Sequence, residues 1–165
     1  MEEYKDLNLV GYLYNKCYGG FTFSDAFLKR LNKQRHEEGL EPIPAYRKER
    51  TDPMVIALFQ EMGREQSSGP CSNLKIFWVP DEFLRFVYCD EYDGKESASV
   101  VKSEVYADIL ESFLKERESK PELTLDDLEA RYLTVKAKLA RYDEFLKKVY
   151  WVWALTDFLQ FVNRM

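Results

Sequence analysis

The segment NLKIFWVPDEFLRFVYCDEYDGKESASVV, residues 73–101, carries the reading that decides the fold. Leu74, Ile76 and Trp78 alternate with Lys75, Phe77 and Val79 until Pro80 ends the run, and a period of two predicts a strand. Farther on, Leu84–Tyr92 and Lys95–Val101 flank Asp93-Gly94, a dipeptide suited to the positive φ angles of a type I′ hairpin turn. The expectation is a three-stranded antiparallel meander. Three strands alone bury too little to persist, so one face of the sheet should be covered by a helix.

Upstream, Asp52-Pro53 is a strong helix start, because the aspartate can cap free amides while proline in the first turn loses no hydrogen bond. Val55, Ile56, Leu58, Phe59 and Met62 supply the buried face of that helix. Ser24 reads as the N-cap of an earlier helix over about 24–38, with Phe27, Leu28 and Leu31 inward and Gly39 as the stop. Leu7–Tyr18 is read as helical, ended by Gly19-Gly20, and Glu41–Pro44 as an extended connection. The fold class expected is α+β, with residues 1–102 as the sheet-containing core and 103–165 as a helical extension packed on it.

Downstream, Ser103 should start a helix to about Glu118, with Tyr106, Ile109, Leu110, Phe113 and Leu114 on one side. After Pro121 no Gly or Pro occurs, and Thr124 with Asp126 and Asp127 forms a good helix start. Leu128, Tyr132, Val135, Leu139, Tyr142, Leu146, Val149 and Trp153 are then spaced alternately by four and three residues, a heptad seam. An unbroken helix over 125–163 would reach about 58 Å, against roughly 40 Å for a globule of this size. Either the helix breaks near Ala140–Asp143, or it projects, or it meets a partner. Beyond Val149 the polar side disappears, with Trp151, Val152, Leu155 and Phe158 joining the stripe.

Composition narrows the chemistry. The 165 residues are 45% hydrophobic and 15% aromatic, enough for a real core with rings left over for a contact surface. A net charge of −5 argues against nucleic acid as the main ligand. The best nucleic-acid candidate is the basic segment Lys29, Arg30, Lys33, Arg35, Arg47, Lys48 and Arg50, diluted by Glu37, Glu38, Glu41 and Glu49. Cys17, Cys71 and Cys89 make an odd set without metal-ligand spacing, so a reducing compartment is expected. The acidic opening Met1–Asp6 is unlike a secretion signal, and the apolar run Val149–Leu155 is too short to span a bilayer. These features predict a location in a cell interior, with no membrane span.

Glu91, Asp93 and Glu96 around the turn are the candidates for metal-assisted hydrolysis, since carboxylates held close raise one pKa and bind hard cations. The structural explanation is that turns recruit Asp and edge strands carry charge to discourage pairing. His36 lies on a polar helical face, and Ser67-Ser68 lacks a nucleophile-elbow pattern. Gly19-Gly20 before the Ser24 helix lacks the lysine of a phosphate loop. No cofactor is expected.

Three segments, Tyr18-Gly-Gly-Phe-Thr-Phe-Ser24, Arg50-Thr-Asp-Pro53 and Glu91-Tyr-Asp-Gly-Lys-Glu96, occur in an order and separation that resembles a loosely defined set of short uncharacterised proteins. Those proteins are encoded by large DNA viruses of eukaryotes and by some phages, and the resemblance covers about residues 11–101. It implies a viral origin and carries over no catalytic residues. The part from Ser103 onward lies outside it, so the seam is a feature of this chain. The function expected is therefore protein–protein contact, by self-association or with a partner, through the residues of the seam.

Overall fold

The computed structural model describes residues 2–162, with side chains described for 4–149. The chain divides into two compact units, one formed by Leu9–Val101 and the other by the described parts of Met1–Asn8 and Lys102–Met165.

In the Leu9–Val101 unit the elements run β1 (Leu9–Asn15), α1 (Asp25–Glu37), α2 (Pro53–Met62), α3 (Arg64–Ser67), β2 (Leu74–Pro80), β3 (Val87–Tyr92) and β4 (Lys95–Val100). Both helix starts follow their capping residues. The Phe27 amide donates to Ser24 Oγ at 3.1 Å, and the Met54 amide to Asp52 Oδ1 at 2.8 Å. Phe27, Leu31, Val55 and Leu58 from α1 and α2 pack with Leu13, Leu74 and Ile76 into one apolar core. Gly11 lets α2 approach β1 closely, because a Cβ there would lie 2.9 Å from Ile56 Cγ2.

The structure is α+β with small antiparallel sheets, but the three-stranded meander does not form. Among the described residues β1 pairs with β2, and β3 pairs with β4, as separate two-stranded ladders. Two differences cause this. Asp81–Phe86 is a 3-10 helix, so the strand expected from Leu84 starts only at Val87. Leu9–Asn15, expected to be helical within Leu7–Tyr18, is a strand that takes the ladder beside β2 in the register Leu13↔Ile76 and Asn15↔Leu74. The Asp93-Gly94 turn does form, with φ of 50° and 79° at its two central residues.

In the other unit, α4 (Lys102–Ser119) and α5 (Leu125–Val162) are joined by a short connection. A reciprocal cap opens α5: the Thr124 amide donates to Asp127 Oδ2 at 2.7 Å and the Asp127 amide to Thr124 Oγ1 at 3.3 Å. The helix is continuous through Ala140–Asp143, so its 38 residues extend about 57 Å. Lys102 pairs with Asp143, and Arg131 with Glu116, tying α4 to α5. The rings of Tyr106 and Tyr132 stand 5.1 Å apart. The N-terminal 3-10 segment Glu2–Leu7 packs on α5 through Tyr4, whose ring meets Phe145 edge-on at 5.3 Å.

The middle of the seam is buried, with Leu139 only 2% and Tyr142 only 1% exposed. Leu128, Val135, Leu146 and Val149 are half-buried, and Tyr132 is exposed. The side chain of Trp153, like those of Trp151, Val152, Leu155 and Phe158, lies outside the described residues. Leu139→Ala therefore acts on the fold, and should lower the unfolding free energy by about 2–5 kcal/mol in denaturant titration. Among the described residues no helix is long and apolar enough to cross a membrane.

Candidate functional site

An antiparallel ladder leaves alternate residues of each strand with their backbone groups facing outward. The Lys16 amide donates to Asn73 O at 2.9 Å and continues the β1–β2 ladder, so Leu13 and Asn15 present theirs to the far side. Among the described residues no third strand meets them there. Instead the Leu13 amide donates to Arg50 O at 2.8 Å, and Arg50 Nη1 donates to Leu13 O at 2.8 Å. The Asn15 amide donates to Glu96 Oε2 at 2.8 Å. A guanidinium and a carboxylate close the edge of β1.

The two side chains also bind each other. Arg50 Nη1 reaches Glu96 Oε2 at 2.8 Å and Nη2 reaches Oε1 at 2.7 Å, the paired fork geometry of the strongest charge-assisted hydrogen bonds. Glu96 is 2% exposed, and Lys48 Nζ adds a contact to its Oε1 at 3.4 Å. The guanidinium lies 4.7 Å from the centre of the Phe21 ring and 5.5 Å from that of Tyr12. Burial would raise the pKa of Glu96, but the hydrogen bonds from Arg50 and the Asn15 amide outweigh it and hold the carboxyl below its ordinary range.

Asn15, fully buried, completes the cluster. Its Nδ2 donates to Cys17 O and Gly94 O, each at 2.7 Å, and its Oδ1 accepts the Asn73 amide at 2.8 Å. One amide thus ties the end of β1 to the start of β2 and to the hairpin turn. The three segments that carried the resemblance meet here. Arg50 and Glu96 come from two of them, while the turn residue Gly94 rests on the Gly19-Gly20 backbone of the third. Asn15 lies outside all three, and its only sequence signal is a polar residue ending an apolar aromatic run.

Nearby, the Tyr12 phenol and the Cys89 thiol both feel the Arg50 guanidinium. Burial, opposed by Arg50, pushes Tyr12 up to about 12 and also raises the Cys89 thiol. Both groups stay protonated at neutral pH, which suits an inert, half-buried thiol.

The three acidic candidates have separate employments. Glu91 and Glu96 do face each other across the hairpin, but the Lys48 ammonium lies against both, 3.1 Å from Glu91 Oε2. Asp93 occupies the positive-φ turn position. Among the described residues no group of three His, Cys, Asp or Glu side chains is arranged to hold a metal ion. The basic segment is largely neutralised in place. Arg30 pairs with Glu61, Lys33 with Glu37, Arg35 with Asp52 at 2.8 Å, and Arg47 with Glu49. His36 is exposed on α1.

The helical unit offers a different kind of surface. Between α4 and α5, a groove of about 350 Å³ is lined by Tyr106, Ile109, Leu110, Leu125, Leu128 and Tyr132, with Glu129 at its side. Leu110 is 47% and Leu125 69% exposed, although both are large and apolar. A second groove of about 460 Å³ involves Ile109, Ala130 and Val135 with Asp108, Ser112, Arg131 and Thr134.

No family model matches the chain, and no curated protein or solved structure matches it.

Proposed function

We propose that this chain is a viral protein without catalysis of its own, acting by protein–protein contact as a virion component or as an effector on a host factor. The α4–α5 groove is the contact surface. The observation that carries this reading is the exposure of Leu110 and Leu125 on one apolar groove that also takes in Leu128 and Tyr132 of the seam. Apolar side chains grouped this way gain by being covered, whereas scattered ones need no explanation. The polar cluster of the other unit supports the same reading, because Glu96 and Asn15 spend their hydrogen bonds on the backbone of their own chain.

The test is affinity purification of the tagged chain from infected cells, with virions analysed in parallel. Leu110→Glu combined with Leu125→Glu should reduce capture of the partner by at least about tenfold, corresponding to roughly 1.4 kcal/mol or more. Both positions are exposed, so circular dichroism should show unchanged helix content. Light scattering on the same variant reports whether the partner is a second copy, in which case the mass falls to that of one chain. Full capture and an unchanged mass would remove the proposal.

A further inference from the structure

The sheet edges of the Leu9–Val101 unit are not treated alike, and this points to a second contact independent of the α4–α5 groove. Arg50 and Glu96 close the outer edge of β1. In the hairpin, the two-residue turn makes Tyr92 and Lys95 a hydrogen-bonded pair, and the Val101 amide donates to Phe86 O at 2.9 Å at the far end. Both fix the even residues of β3 as those bonded to β4. The N–H and C=O groups of Cys89 and Glu91 therefore face away from β4, and among the described residues β3 is paired on that one side alone.

The side chains along this edge give it a sign. Asp90 stands on the solvent face of β3 between Tyr88, 57% exposed, and Tyr92, 77% exposed, with Asp93 beside them in the turn. Like charges placed opposite each other on paired strands destabilise, so two copies of this edge repel. A strand carrying lysine or arginine meets the opposite condition: its cations lie beside Asp90 and over the exposed tyrosine rings, while its backbone takes the free groups of Cys89 and Glu91. We propose that the open edge of β3 captures an extended basic segment of a partner protein by strand addition.

The test uses the full chain and a capped peptide of alternating valine and lysine about six residues long, the length of a typical strand. In the free protein the Cys89 and Glu91 amides should exchange with solvent rapidly, while those of Tyr88 and Asp90 are protected. Adding the peptide should slow exchange at Cys89 and Glu91 and shift their amide resonances. A valine–glutamate peptide should do neither. Cys89→Pro removes an outward N–H without touching the β3–β4 ladder, a position where an edge strand tolerates proline, and should weaken binding at least about tenfold. Asp90→Lys keeps every backbone group and should reverse the preference toward the glutamate peptide, so the inference stays testable if the proline variant fails to fold. Protection of Cys89 and Glu91 before peptide is added, equal binding of both peptides, or self-association through this edge would each overturn it.

Discussion

Arg50→Met will lower the unfolding free energy by about 3–5 kcal/mol, because it leaves the buried Glu96 carboxylate with only the longer Lys48 contact in place of the guanidinium fork. In many proteins a buried ion pair can be exchanged as a whole for apolar side chains with little loss. Here that rescue should fail. The pair also terminates the β1 edge, so Arg50→Met with Glu96→Leu orphans Leu13 O and the Asn15 amide, at about 1–3 kcal/mol for each buried group. Equilibrium denaturation of the two single variants and the double variant forms the measurement, and a double variant as stable as the parent would show that the edge does not need closing. Acid gives an independent check. Glu96 is depressed in the folded state, so its contribution is complete above the unfolded carboxylate pKa, near 4.3, and is lost as pH falls through the lower folded value. Stability should therefore drop below about pH 4 in the parent and fall less steeply in Glu96→Gln.

How much of this was legible in the residues depends on the range of the interaction. The Asp93-Gly94 turn and the caps at Ser24, Asp52 and Thr124 are local, and each forms where its own sequence places it. β1 was hidden because Leu13, Tyr14 and Asn15 are all buried, so both faces of the strand end are occupied and no clean alternation shows. Its partner lies far along the chain, between Leu74 and Pro80, which no local pattern can announce. The polar cluster was missed for a related reason. Glu96 reads as one acid among several near a turn, and Arg50 as one cation of a basic run, until the fold buries Glu96, half-buries Arg50 and sets both against the same strand edge. Charge counts along the sequence treat those residues as solvated. The seam was visible by its spacing, but which part of it would be covered depends on α4 and the N-terminal segment, which lie elsewhere in the sequence.

Gly94→Ala should be nearly as damaging as loss of the ion pair, although it adds a single methyl group to a surface turn. The φ of 79° by itself costs an L-residue about 1–2 kcal/mol. The larger effect is contact. A Cβ there would press on the Gly20 amide nitrogen and come within 2.9 Å of Gly19 N and Gly20 Cα, all of them backbone atoms that cannot rotate aside. The turn must lift away, and the buried Asn15 side chain then loses Gly94 O as a partner for Nδ2, a further cost of about 1–3 kcal/mol. Asp93→Asn is the matched control. It stands at φ 50° in the same turn, and asparagine tolerates that conformation, so its stability should stay within about 0.5 kcal/mol of the parent. If the turn is only a connector, the two substitutions will differ by no more than the backbone term. If it is the clamp that presses the hairpin onto β1, Gly94→Ala will also speed amide exchange at Asn15 and Leu13 on the neighbouring strand, while Asp93→Asn leaves those amides as slow as in the parent.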